Sequence, residues 1–394
     1  MSKPKTYRVK PRRRWLWMRP LDMLLTLIPT PRRKKGMLVV RGLGIGDSIL
    51  FKPAFNHYAE AFGVNPEDIT LLGSHSWSGA AEIFYPGVKK HFIDHRLFER
   101  SAWYRIKFVW WLRRQGFKIA TLDMWVRKPI IFDAVVALSG AERRFATNPR
   151  PSSKIAYEQN FYAKQMTRMI DTLQGNNFRF CILQHFEFIT QATGKAFPPR
   201  LPHMKKNDFA RPNIPTPYTV LNFGSSEPAR CWPLDHFIRL AEDLSALGKY
   251  VVFIGGPSEV DKAPLLEQHF EDNARVINMV GKQSILEMCG ALAHAELVVT
   301  NDTGPAHISI ACGTKTVVIC GGGDFNWFVP YDKSLAPSHA IFVNHAMPCY
   351  QCYWDCYMRK NGEKYFPCLS QIAYDRVYQA ARNLQALHVY AASA

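Results

Sequence analysis

Acidic residues are scarce in this sequence: 394 residues carry 32 Asp and Glu against 50 Lys and Arg, a formal net charge of +18. That imbalance points to an anionic partner, whether nucleic acid, anionic lipid or a phosphorylated small molecule. No RNA- or DNA-binding motif accompanies the charge, which argues against nucleic acid. The leucine-rich stretch near the start is confined by Arg19, Pro20, Asp22 and Pro29. It falls well short of the roughly 20 apolar residues that cross a bilayer, so it is no membrane span. It also lacks the uninterrupted apolar core and small-residue cleavage site of a secretion signal. There is no fixed-period repeat, and no low-complexity block beyond the basic first segment. With 47% hydrophobic and 13% aromatic residues, global disorder is excluded, and the length fits two domains of ordinary size.

Much of the charge sits in one arm. Residues 1–36 hold twelve basic side chains (Lys3, Lys5, Arg8, Lys10, Arg12, Arg13, Arg14, Arg19, Arg32, Arg33, Lys34, Lys35) and one acid, Asp22. Leu21, Leu24, Leu25 and Ile28 recur within it at helical spacing. Two readings stand: a short amphipathic helix lying on an anionic membrane surface, or a basic tail whose leucines pack on the protein's own body. The membrane surface is the expected partner of this arm.

Nine cysteines without an export signal point to a reducing, cytoplasmic compartment. Cys181, Cys231, Cys289, Cys312 and Cys320 lie in apolar contexts and read as small core residues. Cys349, Cys352, Cys356 and Cys368 crowd together in a C-x2-C-x3-C-x11-C pattern. That spacing suits a structural tetrahedral zinc or iron site, and equally free packed thiols; a disulfide is less favoured.

The body, from residue 37, opens with the apolar run Met37–Arg41, the turn Gly42-Leu43-Gly44-Ile45-Gly46-Asp47 and a helical pattern. Strand, glycine turn and helix open a parallel α/β sheet. Further strands are expected at 69–72 and 119–122; residues 143–160 read as irregular, and 161–175 and 180–193 as helices. Six prolines in 196–217 mark a linker. The α/β rhythm then restarts, with strands expected at 218–223, 250–255, 276–278, 297–300 and 316–320. The organisation read is thus an arm (1–36), an α/β domain (37–195), the linker (196–217) and a second α/β domain (218–394). The last includes the Cys-rich segment 349–368 and a C-terminal helix. Two such domains imply a cleft with ligands at the carboxyl ends of strands.

Chemistry concentrates at strand ends. After the apolar run 297–300 comes Asn301-Asp302-Thr303-Gly304-Pro305-Ala306-His307, with Pro at a favoured first-turn position. A helix start of this kind attracts phosphate through its unpaired N–H groups and dipole. The alternative is an ordinary helix capped by Asp302 or Thr303. A second strand end, Gly224-Ser225-Ser226, offers two hydroxyls and is followed by Arg230-Cys231-Trp232-Pro233. There a guanidinium can neutralise a departing diphosphate, or simply be solvated. Gly255-Gly256-Pro257-Ser258-Glu259 places a carboxylate where a ribose could be held. The first glycine turn runs G-x-G-x-G, not G-x-G-x-x-G, and has no P-loop Lys-Ser/Thr pair. What it offers is Asp47 at a helix start, as cap or as catalytic carboxylate.

These strings, in this order and spacing, resemble glycosyltransferase family 9, the ADP-heptose:lipopolysaccharide heptosyltransferases, over about residues 37–380. The resemblance implies a GT-B fold, with two Rossmann-like domains facing each other across a cleft, an acceptor domain and a nucleotide-sugar domain. It implies inverting transfer of heptose from ADP-heptose to the lipopolysaccharide inner core, with no metal required for catalysis. Asp47 would be the general base. Ser225, Ser226 and Arg230 would contact the diphosphate, Glu259 the ribose, Thr303, Gly304 and His307 phosphate, and Asp302 the heptose hydroxyls. The expected place of work is the inner face of the inner membrane. A transferase using another nucleotide sugar, a non-catalytic nucleotide-sugar binder and a nucleic-acid-binding protein are the alternatives.

Overall fold

The computed structural model describes residues 13–42, 44–150, 152, 155–173 and 179–391. The basic residues before Arg13, together with Leu43, Gln174 and Gly175, lie outside the described residues. Contacts divide the chain into two compact units. The first holds residues 1–44, 54–176 and 184–198, and the second residues 45–53, 177–183 and 199–394.

The first unit is built on a parallel six-stranded sheet, β3-β2-β1-β4-β5-β6. Its strands are β1 (Met37–Arg41), β2 (Ile69–Ser74), β3 (Lys89–Ile93), β4 (Ile119–Leu122), β5 (Arg143–Thr147) and β6 (Arg168–Ile170). Central β1 is buried along its whole length, as an apolar strand covered on both faces must be. Its Val39 registers with Leu71 on one side and Thr121 on the other. In chain order the helices used below are α1 (Arg13–Leu25), α2 (Ile45–Phe55), α3 (Ala102–Arg114), α4 (Ala156–Ala163) and α5 (Cys181–Thr193).

Two sequence expectations fail here. Residues 143–147 form β5 rather than an irregular stretch, and 161–175 is not one helix: α4 ends at Ala163 and Arg168–Ile170 forms β6. β3, not expected as a strand, reads Lys-Lys-His-Phe-Ile along a sheet edge, and β6 is three residues at the other edge. Charged or very short edge strands resist unwanted pairing, and for the same reason they show no apolar alternation.

The arm's helix is part of this unit. Trp15, Met18 and Leu25 are buried in its core, and Leu21 and Ile28 pack against it. Buried Asp22 accepts from Arg105 on α3 at 2.6 and 2.7 Å and from the Tyr162 hydroxyl at 2.5 Å. Arg113 binds the carbonyls of Thr26 and Ile28. Of the two readings of the stripe, the one in which it packs on the protein's own body describes most of it, and only Leu24 of its four residues is exposed. A different stripe faces out: Leu16, Met23, Leu24 and Leu27, beside Trp17 at 82% exposure. Among the described residues no helix is long and apolar enough to cross a membrane.

The second unit repeats the plan: a parallel six-stranded sheet in the order β12-β11-β10-β7-β8-β9. Its strands are β7 (Tyr218–Asn222), β8 (Tyr250–Ile254), β9 (Val276–Asn278), β10 (Leu297–Asn301), β11 (Lys315–Cys320) and β12 (Ala340–Asn344). Its helices include α6 (Leu234–Ala246), α7 (Ile285–His294), α8 (Gly304–Ala311) and α9 (Tyr374–Ala391). α6 buries Phe237, Leu240, Ala241 and Leu244, the i, i+3, i+4, i+7 pattern of a one-sided helix. α7 starts with a reciprocal Ser284–Glu287 capping box. The proline-rich stretch is packed down: Met204, Phe209 and Ile214 are buried, and Met204 N–H donates to the Ala311 carbonyl at 2.8 Å. Cys289, Cys312 and Cys320 fill this unit's interior and Cys181 is buried too, while Cys231 is half-buried.

Candidate functional site

In the second sheet the strand order reverses between β7 and β10, whose carboxyl ends emerge as neighbours. Doubly wound sheets bind ligands at this switch point. Two asparagines tie its loops together. Asn222, ending β7, donates to Oγ1 of Thr300 (2.8 Å) and of Thr303 (3.0 Å). Asn301, ending β10, accepts from Trp232 N–H (3.0 Å) and donates to the Phe223 carbonyl (2.8 Å).

Thr303 is the N-cap residue of α8, yet no side chain caps that helix. Its hydroxyl is taken up by Asn222 and by the Asn301 carbonyl, 3.3 Å away. The ordinary capped helix is therefore not what the chain builds. Of the N–H groups at this start, Pro305 has none and Ala306 donates to the Thr303 carbonyl (3.0 Å); the remaining ones have no capping side chain, the situation in which helix starts attract anions.

Around this helix start stand charged groups. Asp302 has 16% of its side chain exposed, and its carboxyl is pushed up to about 7. Burial is the main cause, Asp324 adds to it, Arg230 opposes, and Asp47 adds a smaller push. His307 is buried; its Nδ1 meets the Tyr331 hydroxyl at 2.9 Å, and Nε2 lies 3.9 Å from Asp302 Oδ1. Burial holds its imidazole down to about 3, so it is neutral at ordinary pH and acts as a hydrogen-bonding group, not a cation.

Arg230 ends a 3-10 turn, Pro228–Arg230. Its buried Nε has no hydrogen-bond partner, and its guanidinium lies over the Trp354 ring, 4.4 Å from the centroid. Ser225 is buried and Ser226 exposed beside it. Glu259 accepts from Gly256 N–H (2.8 Å) and from the Ser258 hydroxyl (2.7 Å). Its carboxylate lies so close over Gly224 that a β-carbon there would come within 2.5 Å of it.

Asp47 lies in the first turn of α2, half-buried. Residues 45–53 group with the second unit, so Asp47 belongs to the same compact body as Asp302. The starts of α2 and α8 interlock through two glycines. A β-carbon on Gly46 would sit 2.7 Å from His307 Cδ2, and one on Gly304 would collide with the Ile45 side chain. A side chain at either position would force its neighbour to move, and the contact brings the first turn of α2, which carries Asp47, against the start of α8.

The four clustered cysteines are all free thiols. Cys349 and Cys368 are buried, and Cys368 Sγ accepts from Gly322 N–H at 3.3 Å. Burial first, and then neighbouring Cys356, pushes the Cys349 thiol up to about 11. Among the described residues no group of three or more His, Cys, Asp or Glu side chains is placed to hold a metal ion.

Asn222, Asp324, Tyr331 and Trp354 complete the site without having been assigned a part in it from sequence. Asp324 carried a signal, since it follows Gly321-Gly322-Gly323 at the end of β11 as Asp302 follows β10. Tyr331 and Trp354 lie in loops without periodicity.

Two parallel sheets with the same strand order, one with a helix start at its switch point, are the GT-B fold of glycosyltransferases. The chain belongs to glycosyltransferase family 9 (heptosyltransferase), whose family model matches residues 151–357. It is 28% identical over 165 residues to lipooligosaccharide heptosyltransferase 2 of Campylobacter jejuni, a match covering 41% of this chain and 48% of the relative. The chain thus spans about half the length of the curated relatives it matches. Its structure is similar to that of E. coli ADP-heptose lps heptosyltransferase II, with TM-score 0.65, 18% identity, and 90% of this chain and 99% of that one covered. It is also similar to the glycosyl transferase family 9 protein of Veillonella parvula, with TM-score 0.68, 18% identity, and 91% and 99% covered.

Proposed function

We propose that this protein transfers heptose from ADP-heptose to a lipopolysaccharide inner-core acceptor, with inversion and without a metal ion. The interlock of the α2 and α8 starts carries the reading. It sets one carboxylate, Asp47, against an uncapped helix start backed by a guanidinium with a buried, unpartnered nitrogen. In this scheme the α8 N–H groups and Arg230 hold the diphosphate, with Ser225 and Ser226 at its edge. Glu259 takes the ribose hydroxyls, and Asp302 and the neutral His307 take sugar hydroxyls and phosphate oxygens.

Asp47 removes the proton from the acceptor hydroxyl as its oxygen bonds to the anomeric carbon. The bond from that carbon to the diphosphate breaks on the opposite face. ADP leaves with its new charge met by Arg230 and the helix dipole, which do the work a divalent cation does in other transferases. Incubation with ADP-heptose and a truncated core acceptor should release ADP and lengthen the acceptor by one heptose. Absence of both products with a folded enzyme sinks the proposal. ADP release from a different sugar nucleotide alone would move the enzyme to that donor. A structural metal at Cys349, Cys352, Cys356 and Cys368 remains a proposal that elemental analysis of the purified protein decides.

The acceptor is lipid-anchored, and the proposed place of work is the cytoplasmic face of the inner membrane. Two helices of the first unit support this. α1 turns Leu16, Trp17, Met23, Leu24 and Leu27 outward. α3 presents Trp103, Lys107, Trp110 and Arg114 at i, i+4, i+7 and i+11, with Lys107 4.8 Å over Trp103 and Arg114 4.3 Å over Trp110. Exposed tryptophan interleaved with cations matches the interface of an anionic bilayer. Replacing Trp17, Leu24, Trp103 and Trp110 by Ser should abolish flotation with anionic vesicles while leaving the fold intact. Unchanged flotation would remove the surface from consideration. Truncation of the arm is a poor test, because it also removes Asp22 from Arg105.

A further inference from the structure

Three glycines, Gly321-Gly322-Gly323, follow β11 and form a bare shelf at the carboxyl end of the sheet. The Cys-rich segment lies down on it. Gln351 N–H donates to the Gly322 carbonyl (2.7 Å) and Tyr353 N–H to the Gly323 carbonyl (2.9 Å), while Cys368 Sγ accepts from Gly322 N–H. A β-carbon on Gly321 or Gly323 would run into the Trp354 indole, and one on Gly322 into Tyr350. The segment takes an unusual path to do this, with positive φ at three non-glycine residues, Gln351 (66°), Tyr353 (55°) and Trp354 (68°). Backbone held in that region by its surroundings is a recurrent mark of functional sites.

The path delivers one side chain. The Trp354 indole N–H donates to Asp324 Oδ2 at 2.7 Å, which fixes the ring's rotation. Its edge is packed by Phe366, 5.0 Å away between centroids, and Phe366 N–H donates to the carbonyl of Ala229, the neighbour of Arg230. Its face carries the Arg230 guanidinium. A guanidinium stacked on an aromatic face keeps its in-plane N–H groups free to fork onto two oxygens.

We infer that Trp354 is a positioning residue for the donor, and that the Cys-rich segment serves to seat it beneath Arg230. This rests on the reading of Arg230 as a diphosphate contact. Cys368 then anchors the far end of a strap whose working part is an indole.

The test is calorimetry of ADP binding to the full chain, with steady-state kinetics alongside. Trp354→Leu should raise the ADP Kd and the donor KM about tenfold, within the range of cation–π contributions in partly desolvated sites. It should change kcat less and leave the acceptor KM alone. Trp354→Phe, which keeps a ring face, should stay within about threefold of the parent. In an Arg230→Ala background Trp354→Leu should add nothing. If Trp354→Leu does not fold, Trp354→Met fills the seat without a π face and takes its place. A folded Leu or Met variant with unchanged ADP affinity overturns the inference, as does a Phe variant that fails equally, while Arg230→Ala weakens binding. Unchanged ADP affinity in Arg230→Ala itself overturns the donor-site reading and this inference with it.

Discussion

His307 Nε2 faces Asp302 Oδ1 across 3.9 Å, and both groups titrate far from their ordinary values in opposite senses. Asp302 rises from 3.8 to about 7, so its unfolded form loses its proton first, and stability falls as pH climbs from about 4 to 7. His307 drops from 6.5 to about 3, so its unfolded form gains a proton first, and stability falls as pH drops from about 6.5 to 3. Between about pH 4 and 6.5 the two slopes offset each other. Asp302→Asn should therefore unmask the histidine slope. The variant should melt higher than the parent at pH 8 and lose that advantage progressively towards pH 4. Parallel melting curves across that range would contradict the assignment.

Asp47→Asn keeps the shape of the α2 start and removes the base. Turnover should fall by at least about 100-fold, the scale of general-base catalysis, with ADP affinity within about threefold of the parent. Near-normal turnover would place the base elsewhere.

Gly304→Ala and Gly46→Ala each push a methyl group into the interlock, against Ile45 and His307 respectively. Each should cost about 1–3 kcal/mol by urea unfolding, the usual scale of overpacking, and lower kcat/KM by separating Asp47 from the α8 start. Wild-type kinetics in both variants would show that the interlock has no part in catalysis.

Asp22→Leu leaves the Arg105 guanidinium buried without its carboxylate. The loss should be about 3–5 kcal/mol, as for other broken buried pairs. The double variant Asp22→Leu/Arg105→Met should recover most of it. No recovery would mean that packing of α1, not charge, sets the cost.

The second sheet was legible in the sequence where its strands are central: β7, β8, β10 and β11 are apolar runs bounded by glycine or polar residues, with little ambiguity. β3, β5 and β6 were not, because edge position, flanking arginines and brevity remove the pattern that marks a strand. The arm's helix was legible, and its inward packing was one of the two readings open, but the buried ion pair behind that packing was not. Asp22 looked like a break in an apolar stripe, and its partners Arg105 and Tyr162 are far along the chain. The candidate site's strand-end residues could be proposed from spacing, since each sits just past an apolar run. Tyr331 and Trp354 were hidden because loops obey no period, and their positions are set by contacts with Gly321 and Gly323, with His307 and with Arg230.

The bond between Asp22 and Arg105 also fixes an order of events during synthesis. Asp22 leaves the ribosome 83 residues before Arg105 and 140 before Tyr162. The helix from Arg13 to Leu25 thus waits for α3 and α4 before its buried face can be covered. Until then both its faces are uncovered, the one destined for the core and the one left outward in the finished protein.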